Sequence, residues 1–192
     1  MKNTNIRPKW ARPILNYDSA DPLEMTEKKE IIRLIDVWGD LLLTRGCALF
    51  HMTASSIIVT PDRQKTLMAY HRIYDSWAWT GGHCDGEGDF EAVARREAEE
   101  ETGIHHLRRI GEGIAGLEIL PVWTHVRRGA VVPSHLHLNV SFLFEAEETG
   151  ELETRPEENS AVGWIPVAKL GEMCSEPEMM PVYEKLLRRA ND

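Results

Sequence analysis

Three glutamates near the middle of the chain have a spacing that suits metal binding. At about 100° per residue, the rotation of an α-helix, Glu97, Glu100 and Glu101 fall on one arc with the apolar residues Val93 and Ile104. Carboxylates that face a core cannot all stay ionised without a cation, because burial and mutual repulsion raise their pKa. Oxygen ligands of this kind favour Mg²⁺ or Mn²⁺ over zinc. The spacing therefore predicts a metal-binding helix, with a solvated acidic helix as the alternative.

Together with the glycine-rich loop predicted before it, this helix resembles the box of the Nudix hydrolases, G-x5-E-x7-R-E-U-x-E-E-x-G-U, in which U is aliphatic. The residues that match are Gly82, Arg96, Glu97, Ala98, Glu100, Glu101, Gly103 and Ile104. One position departs, because the first glutamate of the box falls on Gly88, between Glu87 and Asp89. In the family that glutamate supports the site more than it performs the chemistry. The departure therefore bears on affinity and pH optimum more than on the class of reaction.

The implied activity is hydrolysis of a phosphoanhydride bond by metal-activated water, in a nucleoside diphosphate linked to another moiety or in a nucleoside triphosphate. The resemblance assigns Mg²⁺ (or Mn²⁺) to four residues: Gly82, Glu97, Glu100 and Glu101. Arg96 is expected to orient the Glu100 carboxylate, four residues further along the helix. The proton from water is expected to go to a carboxylate of the helix or to Glu158, with Glu157 as the next candidate in the same acidic loop.

Two other functions fit parts of the same segment. Isopentenyl diphosphate isomerase shares the fold, and its W-T-x-x-x-C segment resembles the run from Trp79 and Thr80 to Cys84. That isomerase, however, loses the R-E-U-x-E-E pattern that this chain keeps. The second alternative is a non-catalytic Nudix domain that senses or binds a nucleotide, which Gly88 keeps in consideration.

The strand predicted for residues 135–145 alternates polar and apolar residues with period two. We expect Leu136, Leu138, Val140 and Phe142 to enter the core. The polar face is either a solvated sheet surface or one wall of a binding pocket. On the pocket interpretation, the candidate substrate-binding residues of this face are His135, His137 and Asn139. Two further candidates are His83 in the glycine loop and Trp79, which either stacks on a nucleobase or packs in the core. His51 and the remaining histidines are interpreted as surface or structural residues.

The resemblance implies an α/β fold, a Nudix-type α/β/α sandwich with a mixed sheet, here with an N-terminal helical extension. Residues 1–46 are expected to form an arm and an amphipathic helix that packs on the domain, and residues 47–192 the Nudix hydrolase domain. We place the first 20 residues as an extended arm. The amphipathic helix is predicted from an Asp21 N-cap and a Glu24 capping box, with an interruption at Gly39 and an end near Gly46. A dimerisation surface is the alternative role for this helix, so a homodimer fits the sequence.

Further elements are predicted from periodicity and turn residues. The predicted strands are 54–60, 66–70, 114–120, 123–127, 135–145 and 162–165, with a short segment at 77–79 and a closing helix at 178–189.

Composition limits the classes of partner and compartment. The 192 residues carry a formal net charge of −9, which argues against non-specific binding to nucleic acid or to anionic lipid. No apolar run is long enough to span a bilayer, and the first residues lack the apolar stretch of a signal peptide. The three cysteines show no C-x-x-C pairing, so reduced thiols are expected. We therefore expect a cytoplasmic enzyme with a small-molecule diphosphate or nucleotide substrate.

Overall fold

The computed structural model describes residues 7–72, 75–127, 129–148, 152–157 and 159–192. The α-helices are α1 (Arg12–Asn16), α2 (Pro22–Trp38), α3 (Phe90–Thr102), α4 (Leu170–Met173) and α5 (Met180–Arg189). The strands are β1 (Phe50–Val59), β2 (Lys65–His71), β3 (Ser76–Ala78), β4 (Thr80–His83), β5 (Arg108–Arg109), β6 (Gly116–Val122), β7 (His125–Arg127), β8 (Ala130–Val132), β9 (His135–Glu145) and β10 (Asn159–Pro166). Short 3-10 turns cover Lys9–Ala11, Gly39–Leu43 and Val167–Lys169.

A mixed sheet forms the centre of the protein. Its main order is β10-β2-β1-β9-β5, with β3 beside β2, β4 beside β1 and β6 beside β9. β1 and β9 run parallel through ten paired residues, and the other pairs in this sheet are antiparallel. Helices cover both faces, as expected for an α/β/α sandwich. β7 and β8 form a separate two-stranded hairpin.

The two faces of the central strands enter different cores. Side chains at even positions, such as Met52 of β1 and Leu138 of β9, pack in a core with residues of α2 and α3. At odd positions, Ile57 and Leu143 pack in a second core with residues of α5. Successive side chains of a strand point to opposite faces, so this alternation fixes which side each residue of β1 and β9 occupies.

The prediction for β9 is confirmed in its bounds, and wrong for one core residue. Leu138, Val140 and Phe142 are buried, but Leu136 is 39% exposed. Leu136 lies at the start of the strand, opposite Phe50. The polar face is buried too, since Asn139 is only 1% exposed.

The amphipathic helix begins as predicted and contributes to the core. The Asp21 side chain caps α2 by accepting a hydrogen bond of 2.8 Å from the backbone N–H of Leu23. The helix ends at Trp38, and Gly39 adopts φ +51°, a left-handed conformation that favours glycine. Glu24 was placed in a capping box, but its carboxylate points instead to the basic residues of α5.

The segment before α2 is helical where an extended arm was predicted. Lys9–Ala11 forms a 3-10 turn and Arg12–Asn16 forms α1. Ala11 and Ile14 are fully buried in the core that contains α2 and α3. Tertiary packing therefore decides the local structure of a segment that shows no helical period of its own.

A buried cluster of charges joins α2, α5 and β6. Glu24 accepts bidentate hydrogen bonds of 2.9 and 2.7 Å from Arg189, and Lys185 bridges Glu24 at 2.8 Å to Glu118 at 3.1 Å. Burial favours the neutral acid, but hydrogen bonds from Arg189 and Lys185 outweigh it and lower the pKa of Glu24 to about 2. Burial raises the pKa of Glu118, against the attraction of Lys185. The cluster ties the N-terminal helix to the C-terminal one.

Replacing Glu24 by Gln should destabilise the protein by about 3 kcal/mol at pH 7, the equivalent of its lowered pKa. Because the folded-state pKa is depressed, the contribution of Glu24 is present above about pH 4.5 and is lost as the pH falls towards 2. Urea unfolding of both proteins between pH 3 and pH 8 measures this. The control is Glu30→Gln on the same helix, where an exposed pair with Arg33 is worth at most about 1 kcal/mol. Equal losses in both variants would contradict the assignment.

Candidate active site

One cavity collects the residues singled out by the sequence. Its volume is about 820 Å³, and strands β1, β4 and β9, helix α3 and the loop before β10 line it. The predicted site residues in its wall are Trp79, Gly82, His83, Arg96, Glu97, Glu100, Glu101, His135, His137 and Asn139. Glu158 lies outside the described residues. Its predicted alternative, Glu157, lines the cavity.

The three glutamates of α3 occupy different depths of the cavity wall. Glu101 is buried at 7% exposure, and the Glu97 side chain is 15% exposed. Glu100 is exposed and forms an ion pair of 2.9 Å with Arg155. At the helical rotation, Glu100 lies about 100° from Glu101, so it falls at the outer side of the arc. The expectation that all three face inward is thus correct for two and wrong for Glu100, which lies at the rim.

The glycines before α3 form a strand where a loop was predicted. In β4, Gly81 pairs with Ser55 and Gly82 pairs with Ala54 of β1. A Cβ placed on Gly82 would lie 2.5 Å from the Glu97 carboxylate, closer than atoms can approach. Glycine therefore lets the Gly82 backbone approach that carboxylate.

Arg96 contacts the segment ahead of α3. It donates a hydrogen bond of 2.5 Å to Glu87 and lies 3.7 Å from Glu97. The hydrogen bond to Glu87 is the main reason why the pKa of Arg96 is raised. Arg96 was expected to hold Glu100. It pairs with Glu87 and Glu97, while Arg155 pairs with Glu100.

The sequence analysis missed two residues, Asn159 at the start of β10 and Glu176 between α4 and α5. Asn159 is 1% exposed, and it donates a hydrogen bond of 2.9 Å to the backbone carbonyl of Glu101 and accepts one of 3.0 Å from the backbone of Arg155. It thereby fixes the loop against the end of α3. Glu176 lines the cavity, and burial raises its pKa to about 7. Neither residue belongs to a motif, so only the fold reveals them.

Four histidines meet at one part of the cavity. His51 lies opposite His137 in the β1–β9 pair, His83 lies opposite Thr53 on the same face, and His135 is two residues from His137. The Nε2 atoms of His135 and His137 are 3.2 Å apart. Burial, together with His51 and His135, lowers the pKa of His137 to about 3, and burial lowers the pKa of His51. His51 was interpreted as a surface or structural residue, and its alternation with Thr53 and Ser55 was the signal available.

The polar face of β9 lines the cavity and contributes to a buried layer of hydrogen-bonded side chains beneath it. Asn139 accepts hydrogen bonds of 2.9 Å from Thr53 and 2.8 Å from Ser55, and its amide donates to Glu118 at 3.2 Å. These contacts fix the Asn139 amide in one orientation. Trp79 lines the cavity with its ring edge-to-face against Tyr183, 5.5 Å between centroids. This face therefore lines a cavity and is not a solvated sheet surface.

Comparison with known proteins agrees with this geometry. The family model of the NUDIX domain matches residues 50–190, which include the whole box and every strand. The chain belongs to the Nudix family. A relative from Streptomyces rubellomurinus, named CMP-5'-(N-acetyl-N-hydroxy-3-aminopropyl)phosphonate hydrolase, is 48% identical to this Nudix protein over 86 residues. That match spans 40% of this chain and 41% of the relative.

Solved structures share the Nudix fold at low sequence identity. The E. coli dihydroneopterin triphosphate pyrophosphohydrolase superposes with a TM-score of 0.54 at 16% identity, over 71% of this chain and 94% of that one. The MutT protein from Methanosarcina mazei Go1 gives a TM-score of 0.51 at 15% identity, over 74% and 94% of the two chains. No helix among the described residues has the length and apolar character needed to span a membrane.

The departure from the Nudix box at Gly88 has a structural explanation. A Cβ on Gly88 would lie 2.6 Å from the Cβ of Trp10, so the N-terminal segment occupies the space of a side chain. Trp10 packs edge-to-face on Phe90 with 5.9 Å between centroids, and its indole N–H donates to Asp40 at 2.8 Å. One residue earlier, Glu87 supplies a carboxylate to Arg96.

The isomerase alternative depends on Cys84, whose position does not suit catalysis. Its side chain is 1% exposed and packs in the core with residues of α3. Burial raises the pKa of the Cys84 thiol to about 12. A buried, protonated thiol does not act on a substrate in the cavity. This Nudix protein therefore lacks an accessible cysteine at the position that suggested an isomerase.

The carboxylate end of the cavity fits a hard divalent cation. Glu97 and Glu101 are carboxylates on one side of α3, and the missing side chain at Gly82 leaves room for Glu97 against β4. Hard cations prefer such all-oxygen sets. The donor chemistry and the close approach at Gly82 thus agree with Mg²⁺ or Mn²⁺.

Replacing Gly88 by Ala should destabilise this Nudix protein by about 1 to 3 kcal/mol, because the new methyl group overpacks against Trp10. Urea unfolding measures the loss. The control is Gly171→Ala in α4, where the Cβ would meet Met180 at an ordinary 3.8 Å. In a Trp10→Gly background, which removes the clashing carbon, the Gly88 substitution should cost less. The same cost in both backgrounds would show that Trp10 is not the obstacle.

Proposed function

We propose that this protein is a metal-dependent pyrophosphohydrolase. Its substrate would be a nucleoside diphosphate linked to another moiety, or a nucleoside triphosphate, cleaved at a phosphoanhydride bond by water. The observation that carries the proposal is the contact of Glu97 with the Gly82 backbone, beside the buried Glu101, in the wall of a cavity of about 820 Å³. A carboxylate pair is costly in such a place without a cation.

Glu97, Glu100 and Glu101, with the carbonyl of Gly82, would hold Mg²⁺ or Mn²⁺. When bound, the ion lowers the pKa of coordinated water and neutralises charge that develops at phosphorus. The protein supplies the orientation: Glu87 holds Arg96, which lies 3.7 Å from Glu97, and Asn159 holds the backbone of Glu101. These contacts would orient the Glu97 carboxylate and hold the end of α3 that carries Glu101, and such preorganisation is what a metal site needs.

The proton released by the attacking water would pass to a carboxylate in the loop that precedes β10. Glu157 lines the cavity, and Glu158 is the neighbouring candidate. Arg155, which pairs with Glu100, ties this loop to the rim of the site. A base delivered by a loop and tethered to the metal-binding helix would stay close to the water that it deprotonates.

The rest of the cavity would receive the substrate. Trp79 offers an aromatic surface on which a nucleobase can stack. Asn139 lines the same cavity, but its amide already donates hydrogen bonds to Glu118 and Ser141, so its role there would be to hold the wall in shape. The Streptomyces relative is named as a hydrolase of a CMP-linked phosphonate, and this name supports a nucleotide-linked substrate here. We extend the proposal to a cytoplasmic location, supported by the three buried, unpaired cysteines.

Replacing Glu101 by Gln should lower turnover about 10³-fold or more, because it removes a buried metal ligand. Liquid chromatography of products, with Mg²⁺ or Mn²⁺ and a panel of nucleotide-linked diphosphates, nucleoside triphosphates and isopentenyl diphosphate, measures it. Glu99→Gln, two residues earlier on the helix, serves as the control and should retain activity. Wild-type turnover in the Glu101 variant would contradict the mechanism. Tight binding of a nucleotide without any product would identify the sensing domain instead.

Replacing Gly82 by Ala should weaken Mn²⁺ binding at least about 10-fold, because the methyl group displaces the Glu97 carboxylate. Stability should change by less than about 1 kcal/mol, since the displaced atoms end a flexible side chain. Electron paramagnetic resonance of Mn²⁺ titrations gives the affinity. Gly163→Ala, in another strand with an ordinary 3.5 Å approach to Trp77, should leave Mn²⁺ binding unchanged. Equal Mn²⁺ affinities of the two variants would show that Glu97 does not bind the metal.

A further inference from the structure

The four histidines described above form a compact group that the proposed hydrolysis does not need for its carboxylate-bound ion. His51, His83, His135 and His137 each present one ring nitrogen, and these four atoms lie within 4.8 Å of one another. They come from three neighbouring strands of the sheet, β1, β4 and β9. The backbone that holds them is thus fixed by strand pairing rather than by a loop.

We propose that His51, His83, His135 and His137 form a binding site for a divalent first-row transition metal ion. The ion would lie in the same cavity as the α3 carboxylates and would be held by ligands of different chemistry. This inference stands independently of the proposed hydrolysis, because it concerns which metal binds and where.

The distances between the histidine nitrogens suit a tetrahedral metal site after small movements of the rings. Nitrogen–metal distances of about 2.0 to 2.1 Å in a tetrahedral site place the ligand atoms about 3.3 Å apart. His135 and His137 already have Nε2 atoms at 3.2 Å. The widest separation in the group, at most 4.8 Å, closes with a shift of less than about 1 Å for each ring. Ring centroids of 4.7 to 5.2 Å between His51 and its three neighbours show the same convergence.

The hydrogen bonds of the rings leave nitrogens for a metal. His51 is 5% exposed; its Nδ1 lies 3.4 Å from the Cys47 carbonyl, and its buried Nε2 has no hydrogen-bond partner among the described residues. His135 directs its Nδ1 to the Pro133 carbonyl at 2.9 Å and its Nε2 towards His137. Carbonyl contacts of this kind fix the tautomer of a metal-binding histidine and orient the other nitrogen. A buried nitrogen without a partner is costly, and a metal ion would satisfy it.

The ligand set selects the class of ion. Imidazole nitrogens suit zinc, copper, nickel and iron, whereas Mg²⁺ prefers oxygen ligands. The nearby carboxylates of α3 are oxygen ligands and instead suit Mg²⁺. The cavity therefore offers two sites of different selectivity, and an ion on the histidines would add positive charge where an anionic phosphate is expected to lie.

Isothermal titration of the full-length protein, prepared without a histidine tag, tests the proposal with Zn²⁺ in excess Mg²⁺. One Zn²⁺ per chain should bind, and His137→Gln should weaken the affinity at least about 100-fold. Two variants serve as controls: His105→Gln removes an exposed histidine, and Glu101→Gln removes a carboxylate of α3. Both should keep the Zn²⁺ site. Loss of Zn²⁺ binding in Glu101→Gln, or its retention in His137→Gln, would overturn the assignment.

A measurement on the wild-type protein tests the proposal without depending on the folding of a variant. Electron paramagnetic resonance of Cu²⁺ bound to the wild-type protein should show splitting from several imidazole nitrogens. A spectrum with oxygen ligands only would refute the histidine site. Because neither measurement reads turnover, a failed metal site and a failed hydrolase assignment remain distinguishable.

Discussion

The parallel pairing of β1 with β9 is the constraint on which the site depends. Ten residue pairs, from Phe50 with Leu136 to Val59 with Glu145, fix the register of the two strands. The register sends Met52 and Leu138 into one core and places His51 beside His137 in the cavity. A slip by one residue would exchange the two faces of a strand and would bury histidines among aliphatic residues. The same hydrogen bonds that build the sheet therefore select the chemistry of the cavity wall.

The second constraint is the close approach of α3 to β4. Gly82 allows the Glu97 carboxylate to lie against the strand, Arg96 lies 3.7 Å from that carboxylate, and Asn159 donates a hydrogen bond to the backbone carbonyl of Glu101. The box departs from its family pattern at Gly88, where Trp10 takes the space, and Glu87 provides the carboxylate that Arg96 contacts. Arg96 thus has a carboxylate partner at Glu87, one residue before the box position that Gly88 occupies.

The sequence predicted features that depend on local spacing. The bounds of β9, the Asp21 cap of α2 and the glutamates of α3 follow from periods of two and of 3.6 residues. It did not predict features that depend on distant pairings. Glu24 looked like a capping residue because its partner Arg189 lies 165 residues away, and His51 looked structural because β9 begins far along the chain. The period of a sequence shows which residues share one face of a strand, but it does not show which distant segment packs on that face.

The buried charge cluster extends beyond the region that the family model matches. The family match begins at residue 50, whereas Glu24 and the core residues Ile14 and Ile31 come before it. Arg189, inside the match, pairs with Glu24 outside it, whereas Lys185 pairs with both Glu24 and Glu118. A chain trimmed to the match would keep every residue of the box, yet it would leave Arg189 without Glu24 and the first core without the residues of α2. The packed core of this protein therefore begins before the border of the homologous region.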